Sequence, residues 1–360
     1  MPKAWPYCSG LNSIQHHYVN NELIKDMTIS KLMAATVLAS LAACGGSQAG
    51  NASAASATAQ TDTLAISHPE FSADSAYSYV AQQVSFGPRV PGSEAHGRCV
   101  NYIAGKLREF GADTVSFQKA TVKAFDGTQL PMTNILASFN SKAPKKILIL
   151  AHYDTRPWAD NDPDEANHTR ALDGANDGGS GVGVMLEIAR ALSQSAPQVG
   201  VDMFFTDVED YGTNDGLDNE DSWALGTQHY VSNLPYPTGG KPAYGILLDM
   251  VGGRDAVFPR EYQSTRMAPS VVDRVWGLAS LTPYADRFPN RTGGAIIDDH
   301  IHINSAGIPC IDIIETQNPQ TGSFPPTWHT MQDTMDNIDP ATLKAVGEVM
   351  LDVIYSETAN

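Results

Sequence analysis

Apolar residues recur at helical spacing over residues 71–84 and 95–110, and the run Gly87-Pro88-Arg89-Val90-Pro91-Gly92 between them must be a turn. Two helices are therefore predicted ahead of any strand. Residues 114–122 and 132–139 alternate apolar and polar, as half-buried strands do, whereas 146–150 is apolar almost throughout and predicts a central strand covered on both faces. Beyond it come a helical pattern at 182–192, a strand at 201–206, a short helix at 228–232 and a strand at 244–250. A helix at 271–281, a strand at 310–314 and an amphipathic helix at 342–355 complete the series. Strands interleaved with helices predict an α/β fold, a single three-layer α/β/α domain with a mostly parallel central sheet. Ligands of such sheets collect beyond the C-terminal strand ends.

The N-terminal residues follow a different pattern. Residues 32–43 are mainly apolar, too short a run to cross a bilayer but suited to a secretory signal, and Leu41-Ala42-Ala43-Cys44 resembles a bacterial lipoprotein cleavage box. Residues 1–26 are polar and unlike a signal, so translation is expected to start at Met27. The expected organisation is a signal over 27–44 with Cys44 as the lipidated residue, a Gly/Ala/Ser/Thr-rich tether over 45–66, and one folded domain over 67–360. The protein would then be exported and held at a membrane, facing the periplasm or cell surface, through a lipid anchor only.

Composition narrows the partners. With 42% hydrophobic and 18% charged residues the chain can bury a sizeable core. A net charge of -17 and no basic cluster argue against nucleic acid, which needs a positive face. Acidity suits a metal ion or a cationic substrate such as a peptide amino terminus. Cys99 and Cys310 are expected as buried free thiols.

Candidate chemistry gathers around the predicted strand ends. Gly174, Gly178, Gly179 and Gly181 surround Asp177 on the turn that leads into the helix at 182–192. His152 and Asp154 follow the strand at 146–150, Glu209 and Asp210 follow the one at 201–206, and Asp249 closes 244–250. Asp298, Asp299 and His300 precede the strand at 310–314, and His329 follows it. A catalytic zinc takes about three protein ligands and keeps one position open. Asp177, one of Glu209 and Asp210, and His329 supply that set, leaving the other acid as a general base. His152 and Asp249 could complete a second metal position with Asp177 bridging, so the pattern allows one zinc or two. His300 and His302, the acids at 215–221, and Asp160, Asp162, Asp164 and Glu165 are expected to be ordinary polar residues of loops or a short helix.

Taken together, His152-Tyr153-Asp154, the glycine-rich turn, Phe204 through Asp210, Leu248-Asp249 and Trp328-His329-Thr330 resemble peptidase family M28. Ile297-Asp298-Asp299-His300-Ile301 and Trp328-His329-Thr330-Met331 are similar to the animal-type glutaminyl-peptide cyclotransferases and their bacterial relatives. The resemblance implies that Asp177, Asp210 and His329 bind a single zinc and that Glu209 moves a proton from the substrate amine to departing ammonia. It also implies that Asp249 and Asp298 form a supporting acidic pair and that Trp223 and Trp328 line the pocket. The substrate would be a peptide or protein N-terminus carrying glutamine. A two-zinc aminopeptidase is the alternative on the same scaffold, and a non-catalytic binding lipoprotein is a third reading. The chain departs from the animal pattern at Asp210, where glutamate is usual, and at His302, where proline is usual. Ala151 and Val182 replace a disulfide, while Asp333-Thr334 resembles the aminopeptidase pattern.

Overall fold

Ser72 and Ser93 each turn a side-chain oxygen onto an N–H three residues ahead, and these caps start helices α1 (Ala73–Val84) and α2 (Glu94–Glu109). The computed structural model describes residues 66–215 and 219–359; Cys44 and the expected signal lie outside them. A long hairpin follows, with β1 (Thr114–Lys123) paired along its length to β2 (Gln129–Phe139). The remaining elements are β3 (Lys146–His152), α3 (Gly179–Gln194), β4 (Gly200–Thr206), α4 (Leu225–Ser232), β5 (Gly245–Leu248) and α5 (Tyr262–Met267). Then come α6 (Pro269–Ala279), α7 (Asp299–Ser305), β6 (Cys310–Ile313) and α8 (Pro340–Ser356).

The strands form one sheet in the order β1-β2-β4-β3-β5-β6. Only β2 runs against its neighbours, so five of the six strands point the same way. Side chains alternate between two cores. On one face Ile147, Ile149, Val201, Met203, Ile246 and Ile311 pack with α1, α3 and α8. On the other, Leu148, Leu150, Phe204 and Leu247 pack with Tyr230 of α4 and Ile303 of α7. The run at 147–150 is apolar throughout because both of its faces are covered.

Differences from the expected elements have local causes. Helix α3 starts at Gly179, ahead of the apolar periodicity, because its first turn is built of Gly and Ser. Strand β5 stops at Leu248, since Met250 adopts φ 48° and turns the chain out of the sheet. The unanticipated α5 has 6 residues, too few to display a period. His300 and His302 lie on α7, so a spacing of two does not put them on one face. Cys99 and Cys310 are buried and free, as expected. Among the described residues no helix is long and apolar enough to cross a membrane.

From β3 the chain crosses by α3 to β4 on one side, then returns by α4 to β5 on the other. The crossovers diverge at β3, and this divergence opens a crevice at its C-terminal end.

Candidate active site

The crevice receives its acids from successive strand exits. His152 is the last residue of β3, Glu209 and Asp210 follow β4, and Asp249 is the first residue after β5. Asp298 caps α7 by accepting the Asp299 N–H. Asp177 lies on the glycine turn before α3, where Gly174 and Gly178 take φ 57° and 84°. A Cβ at Gly181 would lie 2.1 Å from the Leu248 carbonyl oxygen, so the start of α3 must press against β5 without a side chain. Val208, Met250 and His329 also have positive φ, 53°, 48° and 56°. Such backbone costs about 1–3 kcal/mol per residue and persists where the surroundings hold it in place.

Two carboxylates brace the loops that carry Asp177, Glu209 and Asp210. Asp154, fully buried, accepts the backbone N–H groups of Glu209 and Asp210 at 3.1 and 3.2 Å. Asp333 accepts those of Asn176 and Asp177 at 2.8 and 3.0 Å. The sequence pattern includes both residues, but only the fold reveals them as braces for the loops that carry the other acids.

The side chains converge as two groups sharing Asp177. Ligand atoms of Asp177, Asp210 and His329 lie within 4.8 Å of one another, and so do those of His152, Asp177 and Asp249. His329 Nε2 is 3.3 Å from Asp210 Oδ1 and 3.7 Å from Asp177 Oδ2. His152 Nε2 is 3.0 Å from Asp177 Oδ1 and 3.3 Å from Asp249 Oδ1. All are buried, and Asp210 Oδ2 has no hydrogen-bond partner. Two carboxylates and an imidazole facing one point, one oxygen of them orphaned, fit a borderline divalent cation such as zinc.

Crowding of acids sets the electrostatics. Burial pushes the Glu209 carboxyl well above the usual carboxylate range; His152 opposes this and Asp298 adds to it. Burial, Asp249 and Asp299 do the same to Asp298. Burial opposes a charge on His329, but Asp210 and Asp160 carry its pKa up to about 9. The site favours positive charge and holds protons on Glu209 and Asp298.

These groups line a cavity of about 210 Å³, whose other wall is apolar: Trp223, Trp328, Phe324, Ile296 and Ile314. Trp328 stacks on the His329 ring at 3.8 Å between centroids. Every residue singled out for catalysis, metal or pocket within the described part is thus brought to one place, His152 included, although His152 itself does not line the cavity. Asn219 and Glu220, in the loop expected beside the site, border the cavity, as does Asn214 just ahead of it. Of the acids at 160–165, Asp164 and Glu165 are exposed as expected, but the expectation needs correcting at Asp160 and Asp162. Asp160 lies 3.2 Å from His329 Nδ1, and buried Asp162 accepts the Met331 N–H at 2.8 Å. Arg156, which the pattern did not single out, bonds Asp160 and the backbone of Asp210.

A sequence profile described as Peptidase family M28 matches residues 134–354. A glutaminyl cyclase of Bacteroides thetaiotaomicron, solved with N-acetylhistamine bound, is 50% identical; its alignment covers 81% of this chain and 100% of that one, with a TM-score of 0.78. A Zn-dependent exopeptidase of Parabacteroides distasonis is 49% identical over the same shares, with the same score. Glutaminyl-peptide cyclotransferase of Bos taurus is 25% identical over 294 residues, 73% of this chain and 76% of the relative. The chain belongs to peptidase family M28, and within it resembles the bacterial glutaminyl cyclases and their animal counterparts.

Proposed function

We propose that this protein converts the N-terminal glutamine of peptides to pyroglutamate with release of ammonia. The observation that carries the reading is Glu209, buried beside Asp298 at the acidic wall of a small cavity that also presents tryptophan, phenylalanine and isoleucine side chains. Asp177, Asp210 and His329 would hold one zinc. When bound, it would polarise the side-chain amide carbonyl.

Trp223 and Trp328 flank the glutamine side chain and exclude water. The substrate's α-amino nitrogen attacks the side-chain amide carbon, closing the five-membered ring as the bond to the amide nitrogen breaks. Glu209 takes the proton that the amine loses and gives it to the departing nitrogen, which leaves as ammonia. A carboxyl held above its usual range suits both halves of that transfer. Asp249 and Asp298, crowded against the same site, support the proton's passage.

A second reading has its own observation. The His152, Asp177 and Asp249 group offers another cation position sharing Asp177, and a relative at 49% identity is described as a Zn-dependent exopeptidase. Incubation with a glutamine-initiated peptide, followed by mass spectrometry, separates the two. Loss of ammonia is expected; a shortened peptide with no pyroglutamyl product would overturn the cyclase reading. Two tightly held zincs per chain would likewise favour hydrolysis.

The N-terminal segment adds a location to the proposal: export, lipidation of Cys44 and attachment to a membrane. Fatty-acid labelling should vanish in Cys44→Ala.

A further inference from the structure

We infer that Arg156 and Asp160 form a clamp that positions His329 and Asp210 for zinc, an inference that rests on reading Asp177, Asp210 and His329 as the ligands. Arg156 is 2% exposed despite its charge. Each of its nitrogens is engaged. Nε and Nη2 donate to the two oxygens of Asp160 at 2.8 and 2.6 Å. Nη1 donates to the backbone oxygens of Asp210 and Gly212, both at 3.2 Å, and lies 3.5 Å from Asp210 Oδ1. Trp158 and Trp223 cover the guanidinium, their ring centroids 4.9 and 5.0 Å from its central carbon. A planar fork that bonds a carboxylate through two nitrogens while lying over aromatic rings is a role that lysine cannot reproduce.

The other end of the clamp meets the histidine. Asp160 Oδ1 lies 3.2 Å from His329 Nδ1, while Nε2 faces Asp177 and Asp210. An imidazole that coordinates through Nε2 keeps its proton on Nδ1. Nδ1 is buried and makes no aligned hydrogen bond of its own, so the Asp160 carboxylate at that distance is the group placed to take the proton's bond and set the tautomer and ring direction. Arg156 in turn prevents Asp160 from swinging away, ties down the Asp210 backbone and supports the Trp223 wall.

The test is a zinc dissociation constant, measured on metal-stripped protein by competition with a chromophoric chelator, with folding monitored by circular dichroism. Wild type and His329→Ala address the ligand reading. Tight binding that His329→Ala abolishes upholds it, whereas no binding by wild type, or unchanged binding by the variant, removes both that reading and the clamp. With the ligands upheld, Asp160→Ala should weaken zinc about 10–100-fold. Asp160→Asn, which keeps an acceptor without the charge, should fall between, and Arg156→Lys should not restore wild-type affinity. Affinity within about twofold of wild type in Asp160→Ala, against the effect expected of such a partner, overturns the clamp. If Asp160→Ala does not fold, the near-isosteric Asp160→Asn decides by the same criterion.

Discussion

Glu209 and Asp210 are adjacent acids with different surroundings, and the proposed roles of base and ligand follow that difference. Asp210 faces His329 and receives Arg156 on its backbone, whereas Glu209 faces Asp298 and Asp299 in the buried acid cluster. Glu209→Gln should therefore lower kcat by about 10²–10⁴-fold, the usual contribution of a positioned general base, while zinc content stays at the wild-type level. Steady-state kinetics with metal analysis on the same preparation checks both parts; a kcat within the wild-type range would remove Glu209 from the mechanism. Asp154 acts one step further out. Its two oxygens satisfy two buried N–H groups, so Asp154→Ala strands both, at about 1–3 kcal/mol each. Chemical denaturation should show that loss, and zinc should bind more weakly because the loop carrying Asp210 is freed.

At the scale of the elements, the glycine-rich turn before α3 explains both what the sequence made legible and what it hid. Alternation and apolar runs disclosed β1 to β4, α3 and α8, because those elements bury one face or two and their periodicity records it. The glycines around Asp177 advertised a tight turn, yet only packing distinguishes Gly178, which needs positive φ, from Gly181, which needs space against Leu248. Arg156 and Asp160 were invisible for a related reason. Their partners Asp210 and His329 are distant in sequence, and nothing in an Arg-Pro-Trp-Ala-Asp run announces a contact made across the fold. Two glycine-to-alanine changes separate these effects. Gly181→Ala should destabilise the protein by about 1–3 kcal/mol or more through overpacking and weaken zinc binding at Asp177. Gly97→Ala, within α2 and with nothing inside 4 Å of its added carbon, should instead stabilise by about 0.4–1 kcal/mol. Urea denaturation of the pair tests both signs; a Gly181→Ala protein as stable as wild type would mean that α3 can withdraw from β5.

For the whole molecule, gathering so many acids at one end of the sheet should tie folding to pH and, on the proposed ligand set, to metal. Burial and Asp177 raise Asp333 to about 7, and burial likewise raises Asp299 to about 7 despite the opposing pull of Thr227 and His152. Both carboxyls thus hold protons in the folded state that an unfolded chain, with a carboxyl pKa of about 3.9, has already released. Between those values the folded state binds more protons than the unfolded one, so stability falls as pH rises. His329 adds to the same trend. Its cation is stabilised in the fold, a contribution complete below about 6.5 and lost as pH rises through about 9. Asp160, held well below the ordinary range by His329 and Arg156 against the cost of burial, contributes stability that is constant across this window and lost only in acid. The Tm of zinc-free protein should therefore decline steadily from about pH 5 to about pH 9. On the proposed ligand set zinc should reverse the dependence, because carboxylates and neutral imidazole would bind it and its affinity would rise as they lose protons. Ligation then stabilises the folded state by mass action, so the Tm gap between zinc-loaded and zinc-free protein should widen with pH. Thermal melts in matched buffers, with and without chelator, measure that gap; one that stayed constant would show that His329 does not exchange its proton for metal.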